Sequence, residues 1–270
     1  MATAQFNDVT LNYEDSGAGV PVVFIHGALI GDAFVSLRAE PSLNNRFRLV
    51  TYHRRGYLGS SQAHAGLSVA DQAGDCLALM RGLGIGSAHI VGHSFGGVVA
   101  LQLARGSPEA VQSLALLEPA LMIGSSAEAY RESLSAGIDH FREVGARTAV
   151  DEMLTARWPQ YKSRLPALLP NGFDDAVAAA PASFEAELPS LFGWHFTEDD
   201  ALRIEHPTLS VLGGESHTLS PRFEEVHGWL LTHVLHVNGF VLPRAHHFLQ
   251  MENSCDMAEA LASFWTSPPR

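Results

Sequence analysis

The stretch Gly92-His93-Ser94-Phe95-Gly96 sets one serine between two glycines. Ala88-His89-Ile90-Val91 precedes it with a strand pattern, and Gly97-Val98-Val99-Ala100-Leu101 follows with a helix pattern. A strand that turns sharply into a helix lifts the serine oxygen clear of the chain at a helix N-terminus, where it can attack a carbonyl carbon. Small residues are needed at 92 and 96 because the backbone of such a turn is strained and pressed against its neighbours. The five-residue pattern says little by itself in a chain with 24 glycines. The flanking strand and helix give it weight.

Serine is barely nucleophilic at its own pKa, so it needs a base that titrates near neutrality. Arg244-Ala245-His246-His247-Phe248 follows the last strand-like run and precedes the final helix, the chain position of a late-arriving base. His247 is the expected base and His246 the competing candidate. Attack on a carbonyl also places a negative charge on oxygen, which fixed N–H donors can bind without reorganising. Phe24-Ile25-His26-Gly27-Ala28 ends an earlier strand in a turn that can face Ser94, so the amides of Ala28 and Phe95 are the expected donors. An ordinary strand-to-helix turn is the alternative for the first of these.

Apolar runs that position these residues occur at Val22 to Ile25, Phe47 to Tyr52, Ala88 to Val91, Ser113 to Leu117, Thr208 to Leu212 and Val234 to Val241. Phe6 to Tyr13 alternates like an antiparallel strand, and Asp15-Ser16-Gly17 supplies a turn after it. Helical periods lie between them at Asp32 to Leu43, Val69 to Leu83, Gly96 to Ala104, Pro221 to Leu231 and Asp256 to Trp265. Alternation of this kind predicts an α/β fold with a doubly wound, mainly parallel sheet, since parallel neighbours need a crossover segment. Pro119 to His206 breaks the rhythm with no convincing strand and reads as an inserted α-helical cap. The expected division is a core of residues 1–122 and 205–270 with a cap of residues 123–204. Trp158, Phe173, Phe184, Phe192, Trp194 and Phe196 exceed what a crossover helix needs, so some can line a pocket, although each alone is more readily cap core.

Composition narrows the partners. With 17 Lys and Arg against 29 Asp and Glu the formal charge is −12, which repels nucleic acid and anionic membrane surfaces. The apolar runs fall far short of the roughly 20 residues a membrane helix needs. The first residues lack the basic start and long apolar stretch of a secretory signal, and Cys76 and Cys255 form no C-x-x-C pair. A cytoplasmic protein acting on a small molecule is expected, with self-association left open. The 14 histidines form no metal set such as H-E-x-x-H, and no phosphate-cradling loop is seen.

Taken together the chain resembles an α/β-hydrolase with a helical cap over nearly its whole length. The resemblance rests on the His26-Gly27 turn, on Arg54-Arg55-Gly56-Tyr57-Leu58-Gly59-Ser60 in place of the family's D-x-R-G-x-G-x-S loop, on Gly92 to Gly97, and on His247-Phe248 before the closing helix. It implies that His247, directly before the apolar residue, is catalytic. Two departures stand out. His53 replaces the aspartate that usually opens the Arg-Gly loop, a structural variation. Gly214-Glu215-Ser216-His217 replaces the family's G-x-x-D, so the usual triad aspartate is missing. A histidine without a carboxylate loses its orientation, and Glu118, at the end of the Ser113 to Leu117 strand, is the expected replacement, as in some branches of the family. Glu215 is the alternative acid.

The resemblance implies a cofactor-independent serine hydrolase that cleaves an ester, thioester or lactone of a small, largely apolar molecule through an acyl-enzyme on Ser94. Carbon-carbon bond hydrolysis and cofactor-free perhydrolysis use the same constellation, and a non-catalytic small-molecule receptor is the reading from another class. Serine at the turn argues against epoxide hydrolases and haloalkane dehalogenases, whose corresponding residue is aspartate. Leu29, Phe34, Trp194 and His195 are the expected pocket walls. Arg54 and Arg55 could bind a substrate carboxylate, but ion pairs within the loop are the simpler role.

Overall fold

The computed structural model describes residues 1–6 and 8–266. Eight strands form one sheet: β1 (Ala2–Phe6), β2 (Val9–Ser16), β3 (Val20–Ile25), β4 (Phe47–His53), β5 (Ala88–His93), β6 (Val111–Leu117), β7 (Thr208–Gly213) and β8 (Val237–Leu242). Their order is β1-β2-β4-β3-β5-β6-β7-β8. The two pairings of β2 are antiparallel and all later pairings are parallel.

The continuous apolar runs follow from burial on both faces of this sheet. Successive side chains point to opposite sides, so Val23, Ile25, Ile90, Leu114 and Leu116 enter one core while Val22, Phe24, Val91, Ala115 and Leu117 enter the other. The first core is covered by α3 (Val69–Gly82) and α4 (Phe95–Gly106). The second is covered by α1 (Val35–Ala39), α2 (Pro41–Asn44) and, near the C-terminus, the helices Leu249–Glu252 and Ser254–Thr266.

Between β6 and β7 the chain is helical: α5 (Ala127–Val144), α6 (Ala146–Arg157), α7 (Tyr161–Leu168), α8 (Gly172–Pro181), α9 (Leu188–Ser190) and α10 (Glu198–Leu202). A π-helical segment, Ala182–Glu187, joins α8 to α9. It lies between Pro181 and Pro189, each of which lacks the N–H that an α-helical ladder needs at its position. After β7 come α11 (Arg222–His233), α12 (Leu249–Glu252) and α13 (Ser254–Thr266). The helices between β6 and β7 merge with the first core. Trp158, Phe184 and Phe196 are buried in that core, and Trp158 stacks on Phe248 with ring centroids 5.6 Å apart. Among the described residues no helix is long and apolar enough to cross a membrane.

Two expectations are corrected. Phe6 to Tyr13 is not one strand, since Phe6 opposes Val9 across the antiparallel β1–β2 pair; a period of two reads straight through a tight reversal. The helix expected over Asp32 to Leu43 is divided into α1 and α2 at Glu40, whose ψ of 126° is extended. Pro41 imposes this, because its ring disfavours helical backbone at the residue before it.

Candidate active site

Ser94 sits between β5 and α4 with φ 52° and ψ −117°, a backbone that a residue with a side chain adopts only under constraint. The constraint is visible. Its N–H donates to the Leu117 carbonyl at 2.9 Å, and its own carbonyl accepts from Gly97 and Ala120, each at 3.0 Å. A Cβ at Gly96 would strike the Ile25 and His26 carbonyl oxygens, and one at Gly92 would lie 2.5 Å from the Gly96 carbonyl oxygen. Glycine is thus required at both positions for space. Of the four non-glycine residues with positive φ among those described, Leu29, Ser94 and Glu118 belong to this site and only Arg244 lies outside it.

The His26-Gly27 turn leaves β3 beside the serine: a Cβ on Gly27 would come within 3.1 Å of the Ser94 Cβ. Ala28 and Ser94 are half-buried among buried neighbours. Phe95 is the first residue of α4, so its N–H has no carbonyl one turn earlier to bond.

Glu118 directly follows β6 and is 3% exposed. Its Oε1 accepts the Gly213 N–H at 2.8 Å, and its Oε2 lies 2.7 Å from His247 Nδ1. An ionised carboxylate only accepts, so the imidazole carries its proton on Nδ1 and presents the Nε2 lone pair. Burial, then the charges of Arg157 and Arg222, hold the His247 pKa well below its ordinary 6.5. Burial pushes the Glu118 carboxyl up, opposed by the Ser216 hydroxyl and then by the Gly213 N–H. His246 is engaged elsewhere, with Nδ1 3.0 Å from Glu252 Oε2. Glu215 is exposed; Glu118 is the carboxylate placed on His247.

His93, beside the serine, donates from Nε2 to the His247 carbonyl at 2.7 Å and lies 4.8 Å, ring to ring, from the His247 imidazole. Burial first, then the neighbouring His247, pushes its pKa down to about 3, so it is a neutral spacer at ordinary pH.

A second buried network supports the His26-Gly27 turn. Arg54 donates to the His26 and Gly27 carbonyls at 3.2 and 2.8 Å and pairs with Glu187 of the π segment. Its backbone N–H donates to His26 Nε2 at 3.1 Å, so the His26 proton is on Nδ1, directed at the Gly27 carbonyl 2.7 Å away. Tyr57 donates to Glu187 Oε2 at 2.8 Å, and the Leu29 N–H lies 3.1 Å from both the Tyr57 hydroxyl and Ser183 Oγ. Burial alone would lower the Arg54 pKa, but the Glu187 carboxylate keeps it above its ordinary value. Arg55 forks onto Asp75 at 2.7 and 2.8 Å. Both arginines of the loop are therefore engaged within the protein. His53 bonds Asp32 Oδ1 at 2.8 Å and the Leu58 carbonyl at 2.9 Å.

Of the expected pocket walls, Trp194 and His195 line a cavity of about 200 Å³ together with Ala120, Met122, Leu191 and Phe196, among others. It meets the serine turn through Ala120, and none of Ser94, Glu118 and His247 lines it. Phe34 is corrected: it packs on Phe24 at 5.1 Å in the second core, because its position at the start of α1 faces the sheet. Leu29 is likewise interior, 2% exposed in the first core, held by its bonded N–H. Among the described residues no three His, Cys, Asp or Glu side chains are grouped to hold a metal ion.

The family described as alpha/beta hydrolase fold matches residues 20–254. The chain belongs to the α/β-hydrolase family. A Synechocystis protein named as a non-heme chloroperoxidase is 32% identical over 81% of this chain and 83% of its own length. A fluoroacetate dehalogenase from Burkholderia sp. is 31% identical over 73% of this chain and 58% of its own length. The crystal structure of the enol-lactonase from Burkholderia xenovorans LB400 superposes with a TM-score of 0.84 at 21% identity, covering 98% of this chain and all of that one. At that identity the likeness is one of fold.

In this α/β hydrolase the structure pairs His247 with Glu118, the acid expected for it, while the Arg54–Glu187 pair, whose members are 133 residues apart, was not anticipated. The one available signal was that a loop arginine deep in a core must find a carboxylate. Removing one partner of a buried ion pair leaves a stranded charge, so Glu187→Leu should lower stability by about 3–5 kcal/mol. Urea unfolding of the variant beside the parent measures this, and an unchanged midpoint would contradict it.

Proposed function

We propose that the protein is a serine hydrolase that cleaves an ester, thioester or lactone of a small, largely apolar molecule through an acyl-enzyme on Ser94. The observation that carries the reading is the buried contact of 2.7 Å between His247 Nδ1 and Glu118, reached from the strand next to the one that ends in the strained serine. His247 Nε2 takes the Ser94 proton as Oγ attacks the carbonyl carbon, and the Ala28 and Phe95 amides receive the oxyanion. The imidazolium then protonates the leaving alcohol or thiol. Water, deprotonated by the same nitrogen, attacks the acyl-enzyme and releases acid and free serine. Glu118 keeps the imidazole in the required tautomer throughout. Residues 123–204 act in this reading as a cap over a core of 1–122 and 205–270, with Trp194 and His195 near the acyl or alcohol group.

The fold shared with an enol-lactonase supports ester or lactone chemistry. The relative named as a chloroperoxidase supports a second reading: hydrogen peroxide in place of water would release a peracid and regenerate the serine by the same steps.

Ser94→Ala should cut turnover of the best ester by about 10⁴ to 10⁶, and a fluorophosphonate probe should label the parent at Ser94. Retained activity would sink the nucleophile, and a parent inert to the probe yet binding ligands would favour a receptor. Glu118→Gln should lose roughly 10³ or more while Glu215→Gln stays near the parent; the reverse ranking would move the acid.

Because the base must be neutral and burial lowers its pKa, activity should hold steady as pH falls through 6.5 and decline only below that value. A profile of kcat/KM on an uncharged ester tests this. Half-loss at or above pH 6.5 would contradict it.

A further inference from the structure

Arg222, the first residue of α11, is 4% exposed, and its Nη1 has no hydrogen-bond partner. Among the described residues no carboxylate pairs with it, although the chain carries 29 Asp and Glu. Its guanidinium is instead clamped between two rings, 3.9 Å from the Tyr130 centroid and 4.6 Å from that of Phe223. The contrast with Arg54 is direct: that equally buried arginine has a carboxylate, an amide oxygen and two carbonyls.

The place of this cation matters. Tyr130 belongs to cap helix α5, and the Phe223 ring lies 4.9 Å from the His247 ring. The guanidinium is therefore one ring away from the imidazole, at the seam between cap and core. Glu118 is near enough for its charge to favour the Arg222 cation but forms no ion pair with it, since one oxygen takes the Gly213 N–H and the other faces His247. Arg157, at the end of α6 and close enough for its charge to lower the pKa of both Arg222 and His247, also has no ion-pair partner among the described residues. Burying a cation is costly unless an anion meets it, and a planar guanidinium matches a carboxylate with two parallel N–H donors.

We infer that Arg222 receives a carboxylate of the substrate, so that the preferred substrates are esters or lactones with one anionic group set apart from the bond that is cleaved. This rests on the serine-hydrolase reading above and narrows it: the apolar body of the substrate lies along Tyr130 and Phe223 while its charged end meets Arg222. Selectivity would arise locally, since a net charge of −12 repels anions at long range.

The test compares the para-nitrophenyl monoester of glutaric acid with para-nitrophenyl pentanoate, which has a similar length and no charge. The parent should favour the charged ester by about tenfold or more in kcat/KM. Arg222→Met, which keeps the length and the packing against both rings, should abolish that preference, and Arg222→Lys should restore part of it. Equal handling of the two esters by the parent, or a preference that survives in Arg222→Met, would overturn the inference. If Arg222→Met does not fold, binding of glutarate and of pentane-1,5-diol to Ser94→Ala protein decides. Glutarate alone should bind, and equal binding or none would reject the carboxylate site. Because Ser94→Ala performs no acyl transfer, that measurement stands apart from the nucleophile assignment, which fails only if Ser94→Ala still hydrolyses the pentanoate.

Discussion

A carboxylate and an imidazole cannot both be removed from water cheaply unless each satisfies the other, and the contact between Glu118 and His247 does this at the carboxyl end of the sheet. The requirement reaches back into the fold. Glu118 lies at that end because β6 runs parallel to β5 and β7, which brings the ends of three strands together. Gly213, closing β7, supplies the N–H that fixes the other carboxylate oxygen. The histidine arrives from the loop after β8, the far edge of the same parallel set. An antiparallel arrangement would send alternate strand ends to opposite sides and could not gather these groups.

Strain is concentrated where these ends meet. Ser94, Glu118 and Leu29 all hold positive φ, and each is pinned by backbone hydrogen bonds or by buried hydroxyls. Unfavourable backbone persists only where the surroundings over-determine it, and here they belong to the core beneath and the helices above. Arg54 steadies the adjoining turn, because one guanidinium holds two carbonyls of the His26-Gly27 turn and the carboxylate of the π segment.

The features readable in the sequence were those in which a short stretch states its own geometry. Gly92 to Gly97 encodes strand, turn and helix within a few residues, and the double burial of β3, β5 and β6 is written in unbroken apolar runs. Glu118 could be reached by asking which strand end still offered a carboxylate. The opaque features depended on distant partners. Phe34 and Trp194 look equally suited to a pocket, and only their packing separates the core residue from the wall. Arg54 and Glu187 say nothing of each other across 133 residues. The break between α1 and α2 was legible in Pro41, but the helical period on either side concealed it.

The π segment has a mechanical meaning. Ser183 and Glu187 project from it to the hydroxyl of Tyr57, the N–H of Leu29 and the guanidinium of Arg54, so this segment is bolted to the turn that follows β3. Lifting that segment would slacken the turn with it. This corner is thereby a fixed frame, held by hydroxyls and one ion pair that are all buried.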